Sequence, residues 1–182
     1  MNNIRLLYID LFCGAGGTST GVEKANYKGQ KCAKVIACVN HDANAIASHA
    51  ANHPEAQHYT EDMRTLDLRP LAEHTAEMRR MYPMAKVVLW ASLECTNFSR
   101  AKGGQPRHQG LRILPWAVYK HAKAILPEVI IMENVEEIQQ WGPLDATGRP
   151  IKERAGEDYN KFISSMCSLA VSYTHLRAHE TE

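Results

Sequence analysis

Apolar residues along this chain fall into two alternating patterns. Short, nearly continuous runs occupy residues 6–9, 34–39, 86–90 and 128–132. Such runs, bounded by turn signals, read as strands buried on both faces. Between them lie segments with helical spacing. Residues 22–26 can be helical. Residues 42–52 are Ala-rich, with Asp42 placed to cap the start and His53-Pro54 as the stop. Residues 68–81 put Leu68, Leu71, Ala72 and Thr75 on one face and charges on the other. Residues 114–126 are helical in pattern and end at Pro127, and residues 158–169 form one more such segment. Strands alternating with helices predict an α/β fold, a doubly wound and mostly parallel sheet covered on both faces. Residues 141–157 are polar and punctuated by Gly and Pro, and read as an excursion. No internal repeat is present.

Composition narrows this further. The chain has 182 residues, 45% hydrophobic and 23% charged, which suits one globular domain and excludes global disorder. Apolar runs such as Val129-Ile130-Ile131-Met132 fall far short of the ~18 residues that span a bilayer, so no membrane partner is expected. No export signal opens the chain. Five cysteines, without a C-x-x-C pair, point to a reduced, cytoplasmic protein. Lys and Arg total 21 against 20 Asp and Glu, so there is no whole-chain basic footprint. Any nucleic-acid contact must come from a local patch or from a region outside this chain.

The C-terminal segment differs in character. Residues 171–182 (VSYTHLRAHETE) show no period and supply no strand, although a parallel sheet of this kind expects another strand after the last helix. They are similar to translated sequencing-adapter read-through. The expectation is a domain over residues 1–170, incomplete at its C-terminus, followed by a non-native or disordered tail.

Three loops carry candidate chemistry. Asp10-Leu11-Phe12-Cys13-Gly14-Ala15-Gly16-Gly17 follows the first strand directly. Its glycines allow a tight turn and close approach to a ligand, and the helix beyond offers free N–H groups. Ser19 stands where a dinucleotide fingerprint wants its third glycine, so the turn fits S-adenosylmethionine better than NAD. Ser92-Leu93-Glu94-Cys95-Thr96-Asn97-Phe98-Ser99 follows the strand at 86–90. Cys95 lies among polar residues past a strand's C-terminal end, where open α/β sheets place ligands, and is the candidate nucleophile. Cys32, Cys38 and Cys167 fall in or near regular elements and read as core residues. Glu133-Asn134-Val135 follows the strand at 128–132. A carboxylate right after four apolar residues is expected to be poorly solvated, which lets it hold and donate a proton near neutrality.

Residues 100–112 hold Arg100, Lys102, Arg107, His108 and Arg112, with Gly103-Gly104 as a hinge. They fit a clamp whose cations meet phosphates. His41, His49, His53 and His58 show no ligand spacing with cysteine, so no metal site is read.

Together, Asp10-Leu11-Phe12-Cys13-Gly14-Ala15-Gly16-Gly17, Glu94-Cys95-x-x-Phe98-Ser99 and Glu133-Asn134-Val135 resemble three signature motifs of the cytosine-5 DNA methyltransferases, in the family's order, over about residues 4–169. The resemblance implies a Rossmann-like, S-adenosylmethionine-dependent methyltransferase sheet of phage or bacterial type. It implies double-stranded DNA as partner and no metal or obligate protein partner. Cys95 and Glu133 become the catalytic pair. Asp10, Phe12, Cys13, Gly14, Gly16, Gly17, Asn40, His41, Asp62, Met63 and Leu114 become cofactor-binding residues, with Asp62 accepting from the adenine amine. Ser99, Arg100, Lys102, Arg107 and Arg112 become nucleic-acid contacts. Two departures stand out. Glu94 replaces the usual Pro before the nucleophile. Asn40-His41 replaces the usual Glu and aromatic or aliphatic pair, so a charge toward the ribose is lost. The related tRNA-modifying branch is the alternative among enzymes, and a non-catalytic S-adenosylmethionine-binding fragment is the alternative outside them.

Overall fold

The computed structural model describes residues 3–93 and 113–169. Strand β1 (Leu6–Leu11) lies at its centre. Leu7, Ile9 and Leu11 are fully buried toward one face, and Asp10 is 1% exposed toward the other, as the two-residue period of a strand requires. A small antiparallel hairpin, β2 (Asn26–Tyr27) and β3 (Gln30–Lys31), turns at Lys28 and Gly29, both with positive φ. The large sheet adds β4 (Ala33–Asn40), β5 (Gln57–Thr60), β6 (Lys86–Ser92) and β7 (Val129–Glu133) in the order β5-β4-β1-β6-β7. Every pair in it is parallel. The chain runs outward from β1 through β4 to β5, then crosses back to β6 and β7. The order therefore reverses beside β1, and the carboxyl ends of its strands frame a crevice of the kind that binds ligands in open α/β sheets.

Helices cover both faces. Helices α1 (Gly17–Lys24) and α2 (Ala43–Asn52) lie on the face of Tyr8 and Asp10, where Val22 packs with Val35, and Ile46 packs with Cys13 and Cys38. Helices α3 (Leu68–Met81), α4 (Leu114–Ile125) and α5 (Glu157–Cys167) cover the other face. There Leu71, Val118 and Phe162 join Leu7, Ile9 and Leu89 in the main core. Asp42 caps α2 as its position suggests, accepting from the amides of Asn44 (2.8 Å) and Ala45 (3.3 Å). The doubly wound, parallel expectation holds.

Some local expectations do not. The first helix begins at Gly17, and Asn26 pairs with Lys31 in the hairpin instead of extending that helix. Strand β5 went unread because Tyr59 is its one buried residue. Cys38 is buried as expected, but Cys167 is exposed at the end of α5 and Cys32 is half-buried. The segment at 141–157 contains an isolated bridge between Leu144 and Pro150 and buries Trp141. The 171–182 tail lies outside the described residues.

Trp116, Trp141 and Phe162 anchor that excursion to α4 and α5. Their ring centroids are 5.6–6.2 Å apart, within the range of favourable aromatic pairs. Phe162 is 1% exposed. Phe162→Ala should cost about 3–5 kcal/mol through lost burial and the cavity left behind. Urea denaturation checks this, and a loss below about 1 kcal/mol would contradict the anchoring role.

Candidate active site

The turn after β1 is built from left-handed backbone. Phe12 (φ 63), Gly14 (φ 51) and Gly16 (φ 98) all have positive φ. The amides of Phe12 and Cys13 donate to the Val39 carbonyl, and Gly16 N–H donates to Cys13 O, so the loop folds back onto β4. Gly16 is the N-cap of α1 and has no side chain to cap it, and of the first amides Asp10 takes only that of Ser19. Gly17 and Thr18 therefore begin α1 with N–H groups that have no intrahelical acceptor. A Cβ at Gly14 or Gly17 would meet nothing within 4 Å, so both border open space. Bare amides, a positive helix end and room beside them suit a carboxylate. These features fit the methionine end of S-adenosylmethionine. The Cys13 side chain is turned into the protein, 7% exposed, so Cys13 meets that space through its backbone.

The second wall of the crevice comes from β4 and β5. Asn40 is the last residue of β4, in register with Thr60, which sets Asn40, His41 and Asp62 near one another. Asn40 Oδ1 accepts from the Asp42 amide (2.9 Å), which leaves its Nδ2 for a ribose hydroxyl. His41 is exposed beside Asp62. Arg64 holds Asp62 at an acidity of about 2, well below the ordinary carboxylate value, with His41 adding in the same direction. Asp62 Oδ1 accepts from the Arg64 amide and Nε, both at 2.9 Å, and Oδ2 accepts from Nε at 2.9 Å and from Nη2. The acceptor expected for the adenine amine is thus engaged by a guanidinium. Met63 (3% exposed) and Leu114 (7%) sit in the main core, and half-buried Phe12 packs against it.

The third wall is β6 with β7. Ser92 at the end of β6 is in register with Glu133 at the end of β7. The segment leading to Cys95 therefore leaves the sheet next to Glu133. Cys95 itself lies outside the described residues, as do Ser99, Arg100, Lys102, Arg107 and Arg112. One expectation is corrected here: Glu133 is exposed, not poorly solvated. Four apolar residues before it do not bury it, because β7 is an edge strand among the described ones and its side chains are only half-buried.

Sequence reasoning missed a buried polar layer below the glycine turn. Register places His58, Cys38, Asp10 and Trp90 in one row across β5, β4, β1 and β6, hence on one face. Ser19 of α1 and His49 of α2 close over it. Ser19 Oγ donates to Asp10 Oδ2 (2.7 Å) and meets His49 Nε2 (3.0 Å). Burial pushes Asp10 up to about 6, partly offset by the Ser19 hydroxyl and amide. Burial, then the neighbouring His53 and His58, push His49 down to about 4. The hydrogen bond with Cys13, then burial, push the Cys38 thiol up. No local signal in the sequence marks this layer, because strand register and helix docking assemble it. A separate groove of about 540 Å³, lined by Thr20, Glu23, Lys31, Val35, His53 and Ala56, lies along α1 and away from the strand ends just described.

The model of the family of C-5 cytosine-specific DNA methylases matches residues 6–155. Type II methyltransferase M.AgeI of Thalassovita gelatinovora is 28% identical over 128 residues, covering 70% of this chain and 27% of that protein. Among solved structures, a proposed DNA modification methyltransferase encoded within a prophage (E. coli) superposes with a TM-score of 0.57 at 22% identity, covering 90% of this chain and 37% of that one. A triple-substituted variant of Spodoptera frugiperda DNMT2 gives 0.54 at 15% identity, with 91% and 41% covered. Methyltransferase EhMeth of Entamoeba histolytica gives 0.54 at 13%, with 90% and 44% covered. The chain spans less than half the length of each of these proteins, and the structural likeness establishes a Rossmann-like methyltransferase fold. With its motifs in order and most of its length matched by the family model, the chain belongs to the C-5 cytosine-specific DNA methylase family.

Proposed function

We propose that residues 1–170 form the cofactor-binding and base-activating part of a DNA (cytosine-5)-methyltransferase, with residues 171–182 outside that domain. The observation that carries this reading is that the adjacent parallel strands β1, β6 and β7 end side by side, where the three motif-bearing segments begin. Bare amides follow β1, the segment toward Cys95 follows β6, and Glu133 ends β7 in register with Ser92. Neighbouring strands lie about 4.8 Å apart, so groups on these loops can address one methyl group and one base ring. The protein would act on DNA in the cytoplasm. No helix among the described residues is long and apolar enough to cross a membrane.

When bound, S-adenosylmethionine supplies an electrophilic sulfonium methyl. The amides of Gly17 and Thr18 would hold its carboxylate, Asn40 its ribose, and Asp62 its adenine amine. The cytosine must leave the duplex stack to reach this crevice, and Arg100, Lys102, Arg107 and Arg112 would engage phosphates, with Ser99 a further nucleic-acid contact. The Cys95 thiolate bonds to carbon-6 of the ring, which makes carbon-5 nucleophilic. Protonated Glu133 donates toward N3 and offsets the charge that builds there. Once carbon-5 carries the methyl group, loss of its proton to solvent would re-form the ring double bond as Cys95 departs with its bonding pair.

Two measurements test this reading. Asp62→Ala should weaken S-adenosylhomocysteine binding by about 1–3 kcal/mol through the lost adenine hydrogen bond. Arg64→Ala, which frees the same carboxylate, should leave binding equal or tighter. Calorimetry that finds NADH preferred over S-adenosylhomocysteine would overturn the cofactor assignment.

A DNA substrate carrying 5-fluorocytosine cannot lose fluorine at the elimination step, so its adduct should persist on Cys95, while Cys95→Ser gives none. Mass spectrometry locating the adduct on Cys13 or Cys38 would refute the nucleophile. A parallel arm with 5-fluorocytosine in RNA that outcompetes DNA would reassign the substrate.

A further inference from the structure

Beneath the glycine turn, donor atoms that methyl transfer does not use come together. Cys13 Sγ, Cys38 Sγ and a ring nitrogen of His49 all lie within 4.8 Å of one another, and all three residues are buried. They come from the loop after β1, from β4 and from α2, which is why their sequence spacing gives no motif.

Hydrogen bonding fixes how His49 is presented. Ser19 Oγ has one proton and gives it to Asp10 Oδ2 at 2.7 Å. Toward His49 Nε2, 3.0 Å away, Ser19 can then only accept. His49 therefore carries its proton on Nε2, and Nδ1 is a bare lone pair. Facing that lone pair are Cys38 Sγ at 3.6 Å and His58 Nε2 at 3.0 Å. The His58 ring also bonds the Ala56 backbone, so a neutral His58 has no second proton to give His49. Two unprotonated imidazole nitrogens thus face each other beside two thiols; Cys13, Cys38 and His49 are buried and His58 is half-buried. A cation among them satisfies all four.

We propose that Cys13, Cys38 and His49 bind one divalent transition-metal ion of the zinc class, with His58 placed to complete a tetrahedron. Thiolate and imidazole donors select such an ion over magnesium or calcium. Bonds of about 2.3 Å to sulfur and 2.0 Å to nitrogen put neighbouring donors roughly 3.3–3.8 Å apart. The Cys38–His49 spacing of 3.6 Å already matches. The His49–His58 spacing of 3.0 Å needs a small opening, and the Cys13 thiol, which donates to the Gly14 carbonyl at 3.6 Å, must turn from it toward the ion. Binding releases the two thiol protons to solvent. The Asp10–Ser19–His49 chain is the outer arrangement that orients a ligating imidazole and fixes its tautomer. The ion would tie the cofactor turn to β4 and α2 and hold it in its binding shape.

The test is titration of the reduced, metal-free 182-residue chain with Co2+. The expected result is one equivalent bound, with thiolate-to-cobalt charge-transfer absorption in the near ultraviolet and tetrahedral bands in the visible, all displaced by Zn2+. Cys38→Ser should abolish the charge-transfer band at equimolar metal. Cys32→Ser and Cys167→Ser should keep it. Ser19→Ala, which retains every ligand, should weaken Zn2+ about 10–100-fold. It serves as the second variant if circular dichroism shows that Cys38→Ser does not fold. No charge-transfer band in the wild-type chain, a band that survives in folded Cys38→Ser, or unchanged affinity in Ser19→Ala would each overturn the assignment. These readouts involve no methyl transfer, so they stand or fall separately from the proposed activity.

Discussion

The hydrogen bond from Ser19 Oγ to Asp10 Oδ2 is the interaction around which the site is built. Asp10 is a carboxylate at 1% exposure in the central strand, and burying such a group costs several kcal/mol unless it is satisfied. Satisfying it requires the start of α1 to lie directly over β1. The chain must then reverse between Leu11 and Gly17, which forces Phe12, Gly14 and Gly16 into left-handed backbone. Gly16 has a further reason to be glycine: a Cβ there would meet His49 Cδ2 at 3.0 Å and His53 Cδ2 at 3.1 Å. The turn that exposes the amides of α1 is therefore a consequence of a buried carboxylate and two packed imidazoles.

The two faces of the sheet divide their tasks accordingly. On the α3, α4 and α5 side, the core runs through Leu11, Val39, Ala91, Leu71, Val118 and Phe162 without a charged group. That side carries the burial that stabilises the fold. On the α1 and α2 side, the row of His58, Cys38, Asp10 and Trp90 interrupts the apolar packing. Asp10 Oδ1 and Trp90 Nε1 are buried without partners, and these two residues are paired in register. Incompletely satisfied polar groups of this kind cost stability, and the opposite face has its own in His121 Nε2 of α4.

Legibility in the sequence followed how local each signal was. The predicted helix at residues 68–81 coincides with α3, whose apolar face, Asp67 cap and length are all encoded within the helix. The strands at 34–39, 86–90 and 128–132 stood out because they are nearly continuous apolar runs. Strand β5 did not, since its neighbours β4 and α2, not its own composition, make it a strand. The glycine turn was readable because left-handed backbone selects glycine. The Cys13–Cys38–His49 cluster was not, because register and helix docking alone bring those residues together. Glu133 was misread for a related reason: a run of apolar residues gives no sign of whether the strand it forms is central or at an edge.

That edge position bears on how the proposed chemistry can work. A protonated carboxyl that donates to a base ring is more effective with water excluded. Strand β7 does not exclude it, because Glu133 is exposed and Val129, Ile130, Ile131 and Met132 are only half-buried. In the proposed reaction, water exclusion at Glu133 would then have to arrive with the substrate base. The arrangement differs from that at Asp10, where the protein itself supplies the dry surroundings. Of the carboxylates at the crevice, Asp10 is thus committed to holding the fold and Asp62 is tied by Arg64. Among these three described carboxylates, Glu133 is the one left exposed, so a bound base would change its surroundings, the property that the proposed proton donor requires.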